Sequence, residues 1–255
     1  MPNTSWMSLG IETALFYGFL TGLPLIAGAI LTKFVSFGGK TLGMIMAFGS
    51  GALIVVVTFS LMSESHESGG IIIASTGFIT GVVVFSAGNY LINKRGGKNR
   101  KKCMHPQEMT HDGSSEGKAL ALGSIMDNIP ESLALGVSAM SGTIGIAFLA
   151  GIMVSNFSES AAGSQTMKIA KTGTKSIIVT WGIIGIVNVV SAAIGFLILS
   201  QLGHEVTAFA LAVAAGAILA MLAETMIPEA YHHGGFFISI ATAFGFLMSF
   251  VLVLG

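Results

Sequence analysis

A chain of 255 residues with 53% hydrophobic and only 9% charged side chains is not a soluble globular domain, where about a quarter of residues are charged. A formal net charge of +0 excludes the overall basic field of a nucleic-acid-binding protein. The single cysteine, Cys103, excludes an internal disulfide. A mean hydropathy of +0.82 points to an integral membrane protein.

A bilayer core needs about 20 apolar residues per helix. Eight runs meet that length, roughly over 11–32, 41–62, 71–93, 118–140, 143–165, 176–200, 207–230 and 235–254. The runs are too long for barrel strands and lack β alternation. The expectation is therefore an all-α, polytopic membrane protein with eight transmembrane helices, folded as one transporter domain over residues 1–255. The start of the chain lacks the basic segment and small-residue cleavage site of a signal peptide, so the first run reads as a retained span.

The basic residues orient the spans. Lys33 and Lys40 fall between spans 1 and 2. Lys94, Arg95, Lys98, Arg100, Lys101, Lys102 and Lys118 fall between spans 3 and 4, and Lys168, Lys171 and Lys175 between spans 5 and 6. An eight-span chain puts all 12 of them on one side, the cytoplasmic side of a plasma membrane, with both termini outside. The long connection 94–117 carries Cys103, His105, His111 and Asp112 and reads as a flexible cytoplasmic loop.

Two stretches align without a gap. Residues 49–70, GSGALIVVVTFSLMSESHESGG, match 214–235, AAGAILAMLAETMIPEAYHHGG, pairing Gly51 with Gly216, Glu64 with Glu229, and Gly69-Gly70 with Gly234-Gly235. Spans 2 and 7 run in opposite directions, so the alignment predicts an inverted repeat, spans 1–3 against spans 6–8, around spans 4 and 5.

Those two middle spans hold the chemistry. In Met126-Asp127-Asn128-Ile129-Pro130-Glu131-Ser132 the acids stand one helical turn apart and share a face, with Asn128 beside them. In Ser155-Asn156-Phe157-Ser158-Glu159-Ser160, Asn156 and Glu159 share a face, with Ser155 on the same row. Pro130 leaves the carbonyl of Met126 without its helical donor, as Pro24 and Pro228 do for Leu20 and Glu224. Each acid at mid-bilayer costs about 2.5–3.5 kcal/mol on the insertion scale. No Lys or Arg occurs between Lys118 and Lys168 to neutralise Asp127, Glu131 and Glu159. Either the acids hold protons or a cation sits among them. Helix-to-helix bonding suits the Asn and Ser residues but leaves three acids unexplained. With no mid-span histidine the donors are hard oxygens, which permit Mn2+, Fe2+, Co2+ or Zn2+ without choosing among them. Asn188 in span 6 is a further candidate ligand, Glu64 and His66 a candidate outer mouth, and Glu224, Glu229, His232 and His233 a candidate inner exit. The 14 methionines read as packing rather than ligands.

These residues resemble the ZIP family of divalent metal-ion transporters, in its prokaryotic branch. Asn128-Ile129-Pro130-Glu131 is similar to the His-Asn-x-Pro-Glu-Gly core of that family's span 4, and Asn156-Phe157-Ser158-Glu159 to its span 5 partner. Ala215-Gly216-Ala217 with Ile227-Pro228-Glu229-Ala230 is similar to its span 7. The departures are Asp127 at the usual histidine, Ser132 at the usual glycine, and Ser155 and Ser158 where His and Pro are frequent. The resemblance implies a two-metal site, a homodimer, and movement of spans 1, 4, 5 and 6 against 2, 3, 7 and 8. The expected function is uptake of a divalent metal, Zn2+ first and Fe2+, Mn2+, Co2+ or Cd2+ otherwise, carried as cargo by a protein that needs no cofactor and is not an enzyme. Asp127, Asn128, Glu131 and Glu159 are the expected direct ligands, with Asn156 and Asn188 secondary. The alternatives are a proton-coupled carrier of a small organic solute, or a membrane metal sensor using loop 94–117.

Overall fold

The computed structural model describes residues 4–35, 37–92, 94, 113–139, 146–169, 171–199 and 202–254. Among these residues the ordered elements are helices, with no strand. They are α1 (Thr4–Phe34), α2 (Gly39–Val55), a π segment (Val56–Met62), α3 (Ser63–Ile92), α4 (Gly113–Ser138), α5 (Ile146–Ile169), α6 (Thr174–Leu199), α7 (His204–Met221), a second π segment (Leu222–Met226), α8 (Ile227–Gly234), a 3-10 turn (Gly235–Phe237) and α9 (Ile238–Leu254). A chain this apolar has to satisfy its backbone internally, and helices do so within one segment. Residues 95–112 lie outside the described residues, and with them Cys103, His105, His111 and Asp112.

Four helical stretches among the described residues are long and apolar enough to cross a membrane: Gly10–Phe34, Gly39–Ile92, Thr174–Leu197 and His204–Val253. Two of these, at 54 and 50 residues, far exceed one crossing, since a helix rises about 1.5 Å per residue and the hydrocarbon core is about 30 Å thick. Each contains one left-handed glycine that breaks the helix, Gly70 (φ 76°, ψ 173°) and Gly235 (φ 61°, ψ −142°). A side chain in that region is strained, which is why glycine holds both positions. The helical backbone among the described residues therefore runs in eight segments. α4 and α5 are not among the four apolar stretches because their middles carry the polar residues of the candidate site.

The helices outrun the apolar runs. α1 begins at Thr4 rather than 11, the second helical run continues to Gly69 rather than 62, and the seventh covers 204–234 rather than 207–230. An apolar run stops at the first polar residues, whereas the hydrogen-bond ladder continues to the next backbone break. The two halves also match in places beyond residue identity. Gly70 and Gly235, paired in the alignment, are the two positive-φ glycines among the described residues, and both π segments fall in the same aligned register. In the second half, Pro228 lies just past the π segment, where the wider turn accommodates a ring that has no N–H to donate.

Packing divides the helices into two groups. α1 lies along α5 and α6, and α4 lies along α6. In the other group α2 lies along α9 and α8, while α3 lies along α7. The groups meet where α2 packs on α5 and α4 packs on α7. Glycines bring the second group to backbone contact. Gly51 sits against the backbone of Thr242 and Phe246, and Gly216 against that of Phe78 and Val82. The largest buried apolar cluster spans both groups, with Leu53, Val56, Leu135, Phe148, Ile152 and Ile218 among its members. A second cluster around Trp181 and Leu25 ties α6 to α1 and α5.

Candidate functional site

The polar residues of α4, α5 and α6 are brought together where the two helix groups meet. Asp127, Asn128 and Glu131 are buried at 5%, 1% and 2% exposure, and Asn156 and Asn188 at 0%; Glu159 is half-buried. Their burial follows from helix contacts at small residues. Gly136 of α4 meets the backbone of Ala192, and Gly195 of α6 meets that of Leu133. This close approach carries Asn188 to the Asp127–Glu131 turn.

The amides are oriented by the groups they touch. Asn128 Nδ2 donates to the Ser124 carbonyl at 2.8 Å and to Glu159 Oε2 at 3.0 Å. Both partners only accept, so the nitrogen must face them and Asn128 Oδ1 must point the other way. Asn188 Nδ2 donates to that oxygen at 3.0 Å. Asn156 Nδ2 donates to the Thr21 carbonyl of α1 at 2.8 Å, which by the same reasoning turns its oxygen away. The result is a polar chain from α6 through α4 to α5, with two buried amide oxygens, Asn156 Oδ1 and Asn188 Oδ1, that receive no hydrogen bond. Buried acceptors rarely go without a donor, and an oxygen left in this way suits a cation. The Glu131 carboxyl is enclosed in the same region and interacts electrostatically with Glu159 and Asp127.

The structure thus links Asn128, Glu159 and Asn188 directly and buries Asp127, Glu131 and Asn156 in the same three helices. Among the described residues, no three His, Cys, Asp or Glu side chains converge as a ready-made metal cluster. The grouping is a mixed carboxylate and amide one. α4 packs chiefly on α6, and α5 chiefly on α1 and α2, and α4 and α5 also meet each other. Asn128 to Glu159 is a direct side-chain link across them.

Of the inner-exit candidates, Glu224 belongs to the second helix group and accepts hydrogen bonds from Ser86 and Asn89 of α3. His232 and His233 pack edge-on with ring centres 5.4 Å apart. Two contributors were not foreseen from the sequence, the Thr21 carbonyl that orients Asn156, and Met226, whose sulfur accepts from Ser155 Oγ at 3.5 Å. The place of Met226, two residues before Pro228, was the only hint of the latter.

The amide chain makes a specific prediction. Replacing Asn188 with leucine leaves Asn128 Oδ1 without the Asn188 donor and frees the Asn128 amide to turn, so the Asn128–Glu159 hydrogen bond is weakened. Outer-sphere partners of this kind are worth about 10–100-fold in ligand affinity. For a divalent cation held at this site, the expected outcome is binding weaker by at least tenfold in calorimetry of the purified chain, with helix content by circular dichroism unchanged.

No protein-family model matches the chain, and no curated protein matches it.

Proposed function

We propose that the chain carries divalent metal cations across a plasma membrane into the cytoplasm, with Zn2+ the foremost cargo. The observation that supports this most is the buried chain Asn188–Asn128–Glu159 beside Asp127 and Glu131, with no Lys or Arg in the sequence between Lys118 and Lys168. Acids enclosed at bilayer depth need a positive charge. A divalent ion held by carboxylate and amide oxygens supplies it with ligands of the right hardness. In this reading Asp127, Asn128, Glu131 and Glu159 bind the ion, and Asn156 and Asn188 contribute or orient oxygens. Inside-negative potential favours inward movement of a 2+ ion by about 4.6 kcal/mol at 100 mV.

The same reading takes the eight helical segments as eight spans, both termini outside and 94–117 in the cytoplasm, as the basic residues argue. An inverted repeat of spans 1–3 and 6–8 draws support from the matched glycine breaks and π segments. Membership of the ZIP family, a homodimer and a two-metal site are what the motif resemblance contributes.

The test is uptake by the purified full chain in proteoliposomes. Zn2+ accumulating with an inside-negative potential supports the proposal. Solute flux driven by a pH gradient without metal dependence would replace it with a proton-coupled carrier. Loss of a cellular metal response on deleting 97–116, with no flux in the intact chain, would replace it with a sensor.

A further inference from the structure

The candidate ligands Asp127, Asn128, Glu131, Asn156, Glu159 and Asn188 come from α4, α5 and α6. Met226, from the other helix group, meets α5 at Ser155. Met226 lies in the π segment Leu222–Met226, is 7% exposed, and its Sδ accepts the Ser155 hydroxyl at 3.5 Å. Ser155 is 3% exposed, precedes Asn156, and stands one turn before Glu159 on the same face of α5. A thioether is a weak acceptor, so a hydroxyl directed at it means that a sulfur lone pair faces the polar side of α5 rather than hydrocarbon. The geometry has a local cause. Pro228 has no N–H, and the wider turn ahead of it advances Met226 relative to a regular helix.

We infer that Met226 Sδ is a ligand of the transported ion, a single soft donor added to hard oxygens, and that it biases the site towards Zn2+ and Cd2+ over Mn2+. The inference rests on the proposed transport of a divalent metal and adds its selectivity. Carboxylate and amide oxygens alone suit Mn2+ as well as Zn2+, whereas sulfur favours the softer ions. It also places the ion in contact with both helix groups, since Met226 belongs to the stretch that follows α7 and Glu159 to α5.

The experiment uses the full chain in detergent with Cys103→Ser, which removes the one thiol. X-ray absorption at the cadmium edge is expected to show one sulfur neighbour among oxygens, and Met226→Leu, close in volume, is expected to remove it. An all-oxygen shell, or a sulfur neighbour that survives Met226→Leu, overturns the inference. In proteoliposomes Met226→Leu is expected to lower the Cd2+ to Mn2+ uptake ratio about tenfold, in the range that metal-tuning residues command. An unchanged ratio means that Met226 only packs, and the inference fails. If Met226→Leu does not fold, Met226→Gln, which keeps the side-chain length and removes the sulfur, is measured in its place with the same two outcomes. A chain that takes up no divalent metal removes the transport reading itself. That outcome is distinct from metal uptake through an oxygen-only site.

Discussion

Alanine at Glu131 or at Glu159 is expected to abolish divalent-metal uptake while leaving the protein folded. Glu131 is buried and lies in the electrostatic field of Glu159 and Asp127, and Glu159 is the acceptor through which α5 is joined to Asn128. Removing either takes away an acidic side chain that no basic residue between Lys118 and Lys168 neutralises. The loss is expected to exceed about 100-fold in uptake, above what outer-sphere partners alone command. Stability should move in the opposite sense. Without metal, a buried carboxylate costs about 2.5–3.5 kcal/mol, so Glu131→Ala is expected to melt no lower than the parent chain in a chelator. With metal at 100 times the dissociation constant, the parent gains about 2.7 kcal/mol and the variant gains nothing. Radiolabelled Zn2+ uptake and paired melting curves with and without metal check both halves. Undiminished uptake in both variants would remove these residues from the site.

Valine at Gly216 or Gly51 is expected to cost about 1–3 kcal/mol or more, by overpacking at contacts that cannot yield. A side chain at Gly216 would meet the backbone of Phe78 and Val82, and one at Gly51 the backbone of Thr242 and Phe246. Backbone, unlike the end of a flexible side chain, has no other rotamer to adopt. These contacts hold α7 on α3 and α2 on α9, two of the pairings that form the second helix group. Gly182 in α6 is the matched control, since an added methyl there meets nothing within 4 Å. Gly182→Ala should stabilise, by up to about 1 kcal/mol of helix propensity. Thermal unfolding in detergent distinguishes the three, and similar melting temperatures for all of them would show that the close approaches do not bear on stability.

Much of this protein can be read along its chain. Helical structure followed from long apolar runs, because lipid leaves the backbone few other solutions. The turn Asp127–Glu131 and the pair Asn156 and Glu159 were visible because acids and amides are rare in such runs, and helical spacing alone puts them on common faces. The aligned pairs Gly69-Gly70 and Gly234-Gly235 hold the two helix breaks, since glycine is the residue that takes a left-handed backbone without strain.

Other features belong to three dimensions only. Asn188 is one polar residue in a very apolar helix, and only the contact of Gly136 and Gly195 with the facing backbones sets it on Asn128. Which amide oxygens are left open depends on two carbonyls, Ser124 and Thr21, that are the same in any residue type. Met226 is one methionine among 14, distinguished by a hydroxyl that points at its sulfur. Spacing along one helix can be counted in the sequence. Contacts between helices depend on where small residues let backbones meet, and on which group then faces a partner's carbonyl, oxygen or sulfur.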